Sequence, residues 1–192
     1  MRFWAAADIQ KLLAVIPNMP VGLRDRAIVL VLTLTGRRRS EVLSLKAGNL
    51  SNEGDAVYYT YRGKGNKQGK RELPQPAHQA IQVALAAYGK ELATMDHEAS
   101  LWPSSGDCRR GITSGTFYGN LRRYLKAAGL PPSGVHIFRH SAAKLRRDAG
   151  ESIEDVSRFL DHSSLAVTTV YLRRLEGDRD NTWEQVAEAI GV

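Results

Sequence analysis

His136, Arg139, His162 and Tyr171 have the types and spacing for phosphoryl chemistry. His136 and Arg139 stand three apart at the start of a helical run, so they share a face. His162 sits in the turn Asp161-His162-Ser163-Ser164, and Tyr171 comes nine residues later on the next short helix. Two histidines and an arginine could hold a phosphodiester while the tyrosine attacks it. None of these residues persuades alone. The arginine run Arg37-Arg38-Arg39 and the loop carrying Lys64 and Lys67 upstream complete the set.

The elements that must position these groups read as mainly α with a small antiparallel β-sheet (α+β). Residues 5 to 16 form an amphipathic helix with Ile9, Leu12, Leu13 and Ile16 on one face. Pro17, Pro20 and Gly22 break it, and residues 23 to 35 form a buried helix. Gly36 turns the chain and RRRSEVLSL opens another helix, with Arg38 in its N-terminal turn. A run of three arginines is most often a solvated patch, but the tight turn and its apolar flanks argue that one is held rigidly. VYYTYR and KRELP flank GKGNKQG as a hairpin, for which an ordinary exposed lysine-rich turn is the plain alternative. Helices are expected from Pro76 to about Leu92, from 114 to 128 and from 137 to 149. Ser152-x-x-Asp155 resembles a capping box. Beyond Tyr171, EGDRDN reads as a hinge and TWEQVAEAI as a helix with Trp183, Val186, Ala187 and Ile190 on its apolar stripe. Tyr88, Tyr118 and Tyr124 read as packing residues.

The chain has 192 residues, 43% of them hydrophobic, which is enough for one globular core. No run is long enough to span a membrane. The lone Cys108 excludes an internal disulfide or a multi-cysteine metal site, and fits a reducing, cytoplasmic setting. The net charge of +7 favours a polyanionic partner, nucleic acid first. The arginines cluster, as at Arg109-Arg110 and Arg146-Arg147, which favours phosphate contacts over general solubility.

On these motifs the chain resembles the catalytic domain of the tyrosine recombinases, the phage-integrase family. TGRRRSEVLSL resembles the first arginine motif and gives Arg38. RGKGNKQGK resembles the hairpin with the catalytic lysine and gives Lys64. HIFRH resembles the His-x-x-Arg-His motif and gives His136 and Arg139. FLDHSSLAVTTVY gives His162 and the nucleophile Tyr171. Each motif is weak in isolation, but all six positions occur in the family's order. Two positions depart from its pattern: Arg37 stands where an apolar residue is usual, and Asp161 where glycine is common.

The resemblance implies a site-specific DNA recombinase or integrase that acts through a 3′-phosphotyrosine, without metal, cofactor or ATP. Arginine stays charged and its planar fork can grip two phosphate oxygens, which suits Arg38 and Arg139. Lys64 is implied as the general acid for the leaving 5′-oxygen, His136 as the base for Tyr171, and His162 as a hydrogen-bond donor to a non-bridging oxygen. Glu41 is expected to hold Arg38 or a neighbour, and His140 to be structural. Arg37, Arg39, Lys67, Arg109 and Arg110 are further DNA-contact candidates. The implied partners are double-stranded recombination sites, bound as a homotetramer, with a monomer or weak oligomer off DNA, in a bacterial or phage-encoded, cytoplasmic, mobile-element setting. The expected layout is a catalytic domain over 1–175 and a hinge and helix over 176–192, which pack in cis or on a neighbouring protomer. The family's usual N-terminal DNA-clamping domain is absent from the chain, so a fragment of a longer protein is expected. The other readings are a type IB topoisomerase-like nicking and relaxing enzyme, and a catalytically silent DNA-binding regulator.

Overall fold

The structure is a computed structural model and describes residues 3–63, 68–104, 108–162, 164–166 and 168–170. Lys64, Lys67, Tyr171 and the expected C-terminal hinge and helix lie outside the described residues. The elements run α1 (Ala6–Val15), α2 (Pro20–Thr35), α3 (Arg39–Leu43), β1 (Leu50–Glu53), β2 (Ala56–Arg62), β3 (Gln68–Glu72), α4 (Gln75–Ala86), α5 (Ser114–Ala127), α6 (His136–Asp148) and α7 (Ile153–Phe159). The mainly helical reading with a small antiparallel sheet therefore holds. Among the described residues no helix is long and apolar enough to cross a membrane.

Helix α2 is the hub. It packs on α4, α5 and α6 and buries Ala27, Ile28, Val29, Val31 and Leu32. Around it Leu12, Ile81, Leu85, Leu101, Trp102, Phe117, Leu121 and Phe138 close one apolar core. Burying such a side chain stabilises by about 1.5–3 kcal/mol each, so the orientation of α2 is strongly fixed. Of the three residues expected to break the first helix, Pro20 and Gly22 lie inside α2: Pro20 starts it, where its missing N–H has no partner to lose and its fixed φ suits a helix. Gly36 ends α2 at φ 60, a left-handed conformation that glycine adopts without a side-chain penalty.

The sheet has order β1-β2-β3, both pairs antiparallel, with Tyr59 opposite Arg71 and Tyr61 opposite Gly69. Tyr59 and Tyr61 share the inward face. Helix α4 ends at Ala86 rather than near Leu92, because Gly89 takes φ 67 and the Lys90 N–H turns back to the Leu85 carbonyl. Tyr124 is buried as expected, whereas Tyr118 is exposed. The expected cap of α7 is present: Ser152 Oγ accepts from the Asp155 N–H at 3.0 Å. The apolar anchor of α7 is small, consisting of Ala143, Val156 and Leu160 with Ile153 and Phe159 beside them.

Candidate active site

Three segments distant in sequence meet at the C-terminal end of α2: the Gly36–Arg38 turn, helix α6 and the turn after α7. Arg139 ties them together. It is buried, and its Nη1 donates to the Gly36 carbonyl at 2.7 Å while Nη2 donates to the Leu160 carbonyl at 2.5 Å. Gly36 has a steric role here as well. A Cβ on it would lie 2.5 Å from the Phe159 ring, so α7 packs directly on the bare turn.

Arg38 is the N-cap of α3, and Glu41 holds it from both ends. Glu41 Oε1 accepts from Arg38 Nη1 at 2.8 Å, and Oε2 accepts from the Arg38 backbone N–H at 2.9 Å. The Glu41 side chain is 3% exposed and that of Arg38 is 32% exposed, so the carboxylate is sealed and the cation faces outward. Arg39 is half-buried at the start of α3. His136 is exposed at the first turn of α6. His140 is half-buried one turn on, and burial, then the charges of His136 and Arg139, push its pKa down.

His162 lies within the influence of both arginines. Its pKa is pushed down to about 4, first by burial and then by the positive charges of Arg139 and Arg38, with Asp161 partly opposing them. Its Nδ1 is 2.7 Å from the Thr168 hydroxyl. A neutral imidazole beside two guanidiniums is therefore the resting state at neutral pH.

Arg37, a DNA-contact candidate on sequence, does not face outward. It is 2% exposed, because its donors turn inward. Nη1 donates to the Tyr61 hydroxyl at 2.6 Å and to Asp161 Oδ2, Nη2 donates to the Phe159 carbonyl, and the guanidinium lies 4.7 Å from the Tyr61 ring centre. Asp161 also accepts from Tyr61 Oη and, at 2.8 Å, from Arg71 Nη2. Burial pushes the Asp161 carboxyl up, but the hydrogen bonds from Tyr61 and Arg71 and the charge of Arg37 outweigh it and hold its pKa below the ordinary value.

Arg38, Arg139 and His162 are thus brought together, with Glu41 beneath Arg38. Arg109 is not: it lines a separate recess with Gly89, Lys90, Met95 and Asp96, and Arg110 is its exposed neighbour. Tyr61, Arg71 and Thr168 join the site without a motif to announce them. The signal for Tyr61 is its alternation with Tyr59 along β2, which marks an inward face. The signal for the Arg37–Asp161 pair is that the two positions breaking the motif pattern carry opposite charges. Among the described residues no group of His, Cys, Asp and Glu is arranged to hold a metal ion.

The pattern of the phage integrase family matches residues 2–177. Among curated proteins, the chain is 34% identical over 157 residues to the tyrosine recombinase XerC of Mycobacterium bovis, covering 79% of this chain and 50% of that one. It is 28% identical over 171 residues to XerC of Herpetosiphon aurantiacus, covering 88% and 54%. Its fold matches that of the XerH site-specific recombinase, solved bound to a palindromic difH substrate in a post-cleavage complex, with a TM-score of 0.73 and 21% identity over 99% of this chain and 52% of that one. The chain spans about half the length of these relatives.

Proposed function

The chain belongs to the phage integrase family, and from that premise we propose that it is the strand-cleaving part of a site-specific DNA recombinase. The observation that carries this reading is the convergence of Arg38, Arg139 and His162 from three segments on one place. Two guanidiniums and a neutral imidazole suit the charge that spreads over phosphoryl oxygens during transfer.

In this reading Tyr171 Oη attacks the phosphorus, and its proton passes to His136. The bond from phosphorus to the 5′-oxygen breaks, and Lys64 supplies the proton that the leaving oxygen needs. The products are a 3′-phosphotyrosine and a free 5′-hydroxyl. Rejoining is the same path reversed with a new 5′-hydroxyl, so the ester's energy is retained and no nucleotide is consumed. Arg38 and Arg139 hold the non-bridging oxygens. A Thr168 hydroxyl donating to Nδ1 of His162, 2.7 Å away, would leave the ring hydrogen on Nε2, the form that donates to a phosphoryl oxygen. Glu41 keeps Arg38 aimed outward.

The partners are double-stranded recombination sites, with a homotetramer assembling on two of them. Residues 1–175 form the catalytic unit, and residues 176–192 an appendage that packs in cis or on a neighbouring protomer. Arg39, Arg110 and Lys67 supply backbone contacts around the site.

The test is covalent trapping. Wild type and Tyr171→Phe are incubated with supercoiled plasmid in EDTA, denatured in detergent, and probed for DNA-linked protein. An adduct with wild type alone is expected. An adduct that persists in Tyr171→Phe overturns the assignment of the nucleophile.

A further inference from the structure

We infer that Asp161 is a positioning residue for strand cleavage, tying the His162 turn to the β2–β3 hairpin through Arg37, Tyr61 and Arg71. The inference rests on the proposed function and deepens it. Asp161 adopts φ 50, a left-handed conformation that after glycine is most accessible to Asn and Asp, and it is the non-glycine residue with positive φ among the described residues. Its carboxylate joins elements far apart in sequence. Oδ2 accepts from Arg37, at the end of α2, and from Tyr61 on β2, while Oδ1 accepts from Arg71 on β3 at 2.8 Å.

Tyr61 and Arg71 stand on the two strands that flank the loop holding Lys64 in the sequence. His162 is the next residue along the chain. One carboxylate therefore fixes the strands on either side of the expected general acid against the turn that carries the expected phosphate donor.

The end of α7 needs such a tie. Its apolar anchor is only Ala143, Val156 and Leu160 with their flanking residues. Its last carbonyls are instead held by arginines: Phe159 by Arg37, Leu160 by Arg139, and Arg158 by Arg71 at 2.9 Å. A carboxylate beside a phosphate site would repel a polyanion if left bare. Here guanidiniums on two sides bond and offset it, and Arg37, 2% exposed, in turn requires a counter-ion. The two departures from the family's pattern are thus one unit: an arginine that could not be buried alone, and a carboxylate that could not sit alone by a phosphate.

The test uses Tyr61→Phe and Arg71→Gln, which each remove one tie and leave the Arg37–Asp161 pair in place, and a cycle of Arg37→Leu, Asp161→Gly and the double variant. Each protein is assayed for its initial rate of covalent adduct on saturating supercoiled plasmid, its plasmid affinity, its melting temperature and the NMR position of the His162 ring. Tyr61→Phe and Arg71→Gln are expected to bind plasmid within about twofold of wild type, to form adduct about tenfold more slowly, and to displace the His162 ring resonances. The cycle is expected to be non-additive in melting: either single change lowers melting and rate, and the double variant recovers most of the melting temperature while its rate stays low, because the ties to Tyr61 and Arg71 are gone. The inference is overturned if the His162 resonances stay at their wild-type positions in Tyr61→Phe and Arg71→Gln, if the two single effects on melting simply add in the double variant, or if the double variant cleaves at the wild-type rate. Absence of any wild-type adduct would count against the proposed function instead, because the ring resonances and the melting cycle report on Asp161 without cleavage.

Discussion

At the N-terminal end of α2, Arg24 and Asp25 are sealed in protein, 2% and 0% exposed. Asp25 Oδ1 accepts from Arg24 Nε and Nη2 at 3.0 and 2.8 Å, and Oδ2 accepts from Asn120 at 2.7 Å and the Tyr124 hydroxyl at 3.0 Å. The remaining Arg24 nitrogen donates to the Pro103 carbonyl at 2.8 Å. At the C-terminal end of the same helix, Arg37 and Arg71 bond Asp161, Arg38 bonds Glu41, Arg139 donates to the Gly36 and Leu160 carbonyls, and Arg38 is 32% exposed. The first cluster balances one cation with one anion and saturates both oxygens. Among the described residues the second sets three arginines against two carboxylates and points part of that charge at solvent. Arginine chemistry alone does not separate a scaffold from a phosphate site; the charge balance and the side left open do.

The contrast breaks most sharply under Asp25→Ala. Removing that carboxylate leaves Arg24 charged in a dry setting and should cost about 3–5 kcal/mol of stability, read as a lower urea midpoint. Tyr124→Phe is milder. It deletes one hydrogen bond to a charged group and should cost about 1.5–3 kcal/mol, and the upward-pushed Tyr124 phenol, which burial and the Asp25 charge keep neutral, loses no ionised form at working pH.

A pH profile sharpens the comparison at the open end. His162 titrates at about 4 when folded, against an ordinary value of 6.5, so between these limits the unfolded chain binds more protons. Stability therefore falls as pH drops from about 6.5 toward 4, and His162→Gln should flatten that slope. Asp161 acts in a lower window. Its folded pKa lies below the ordinary 3.8, so its contribution is present above that value and is lost as pH falls through the folded pKa. Melting curves from about pH 7 to about pH 3 of wild type, His162→Gln and Asp161→Asn separate the two.

Much of this end of the molecule was legible in the sequence. Gly36 between an apolar run and a polar helix start signalled the turn, and the Ser152 cap signalled α7. The spacing of His136 and Arg139 placed both on α6. The direction of Arg37 was not legible, because it is set by Asp161, 124 residues away, and by Tyr61 on a strand whose inward face depends on packing. Pro20 reads as a breaker because proline both ends helices and begins them, and only the extended backbone at Met19, seen in the fold, makes it a start. The end of α4 was hidden because Gly89 lies in an otherwise helical pattern and stops it by adopting φ 67.

The most direct measurement compares one residue from each end of α2: the initial rate of covalent adduct on supercoiled plasmid for Arg38→Ala and for Tyr124→Phe, at a temperature where both proteins are folded. Arg38→Ala should lose on the order of 10²- to 10³-fold, as when a donor to a developing oxyanion is removed, while Tyr124→Phe should stay within about twofold of wild type, since an intact fold leaves the site unchanged. Rates that fall together for the two variants, in step with their melting temperatures, would contradict the assignment of the open end as the phosphate site.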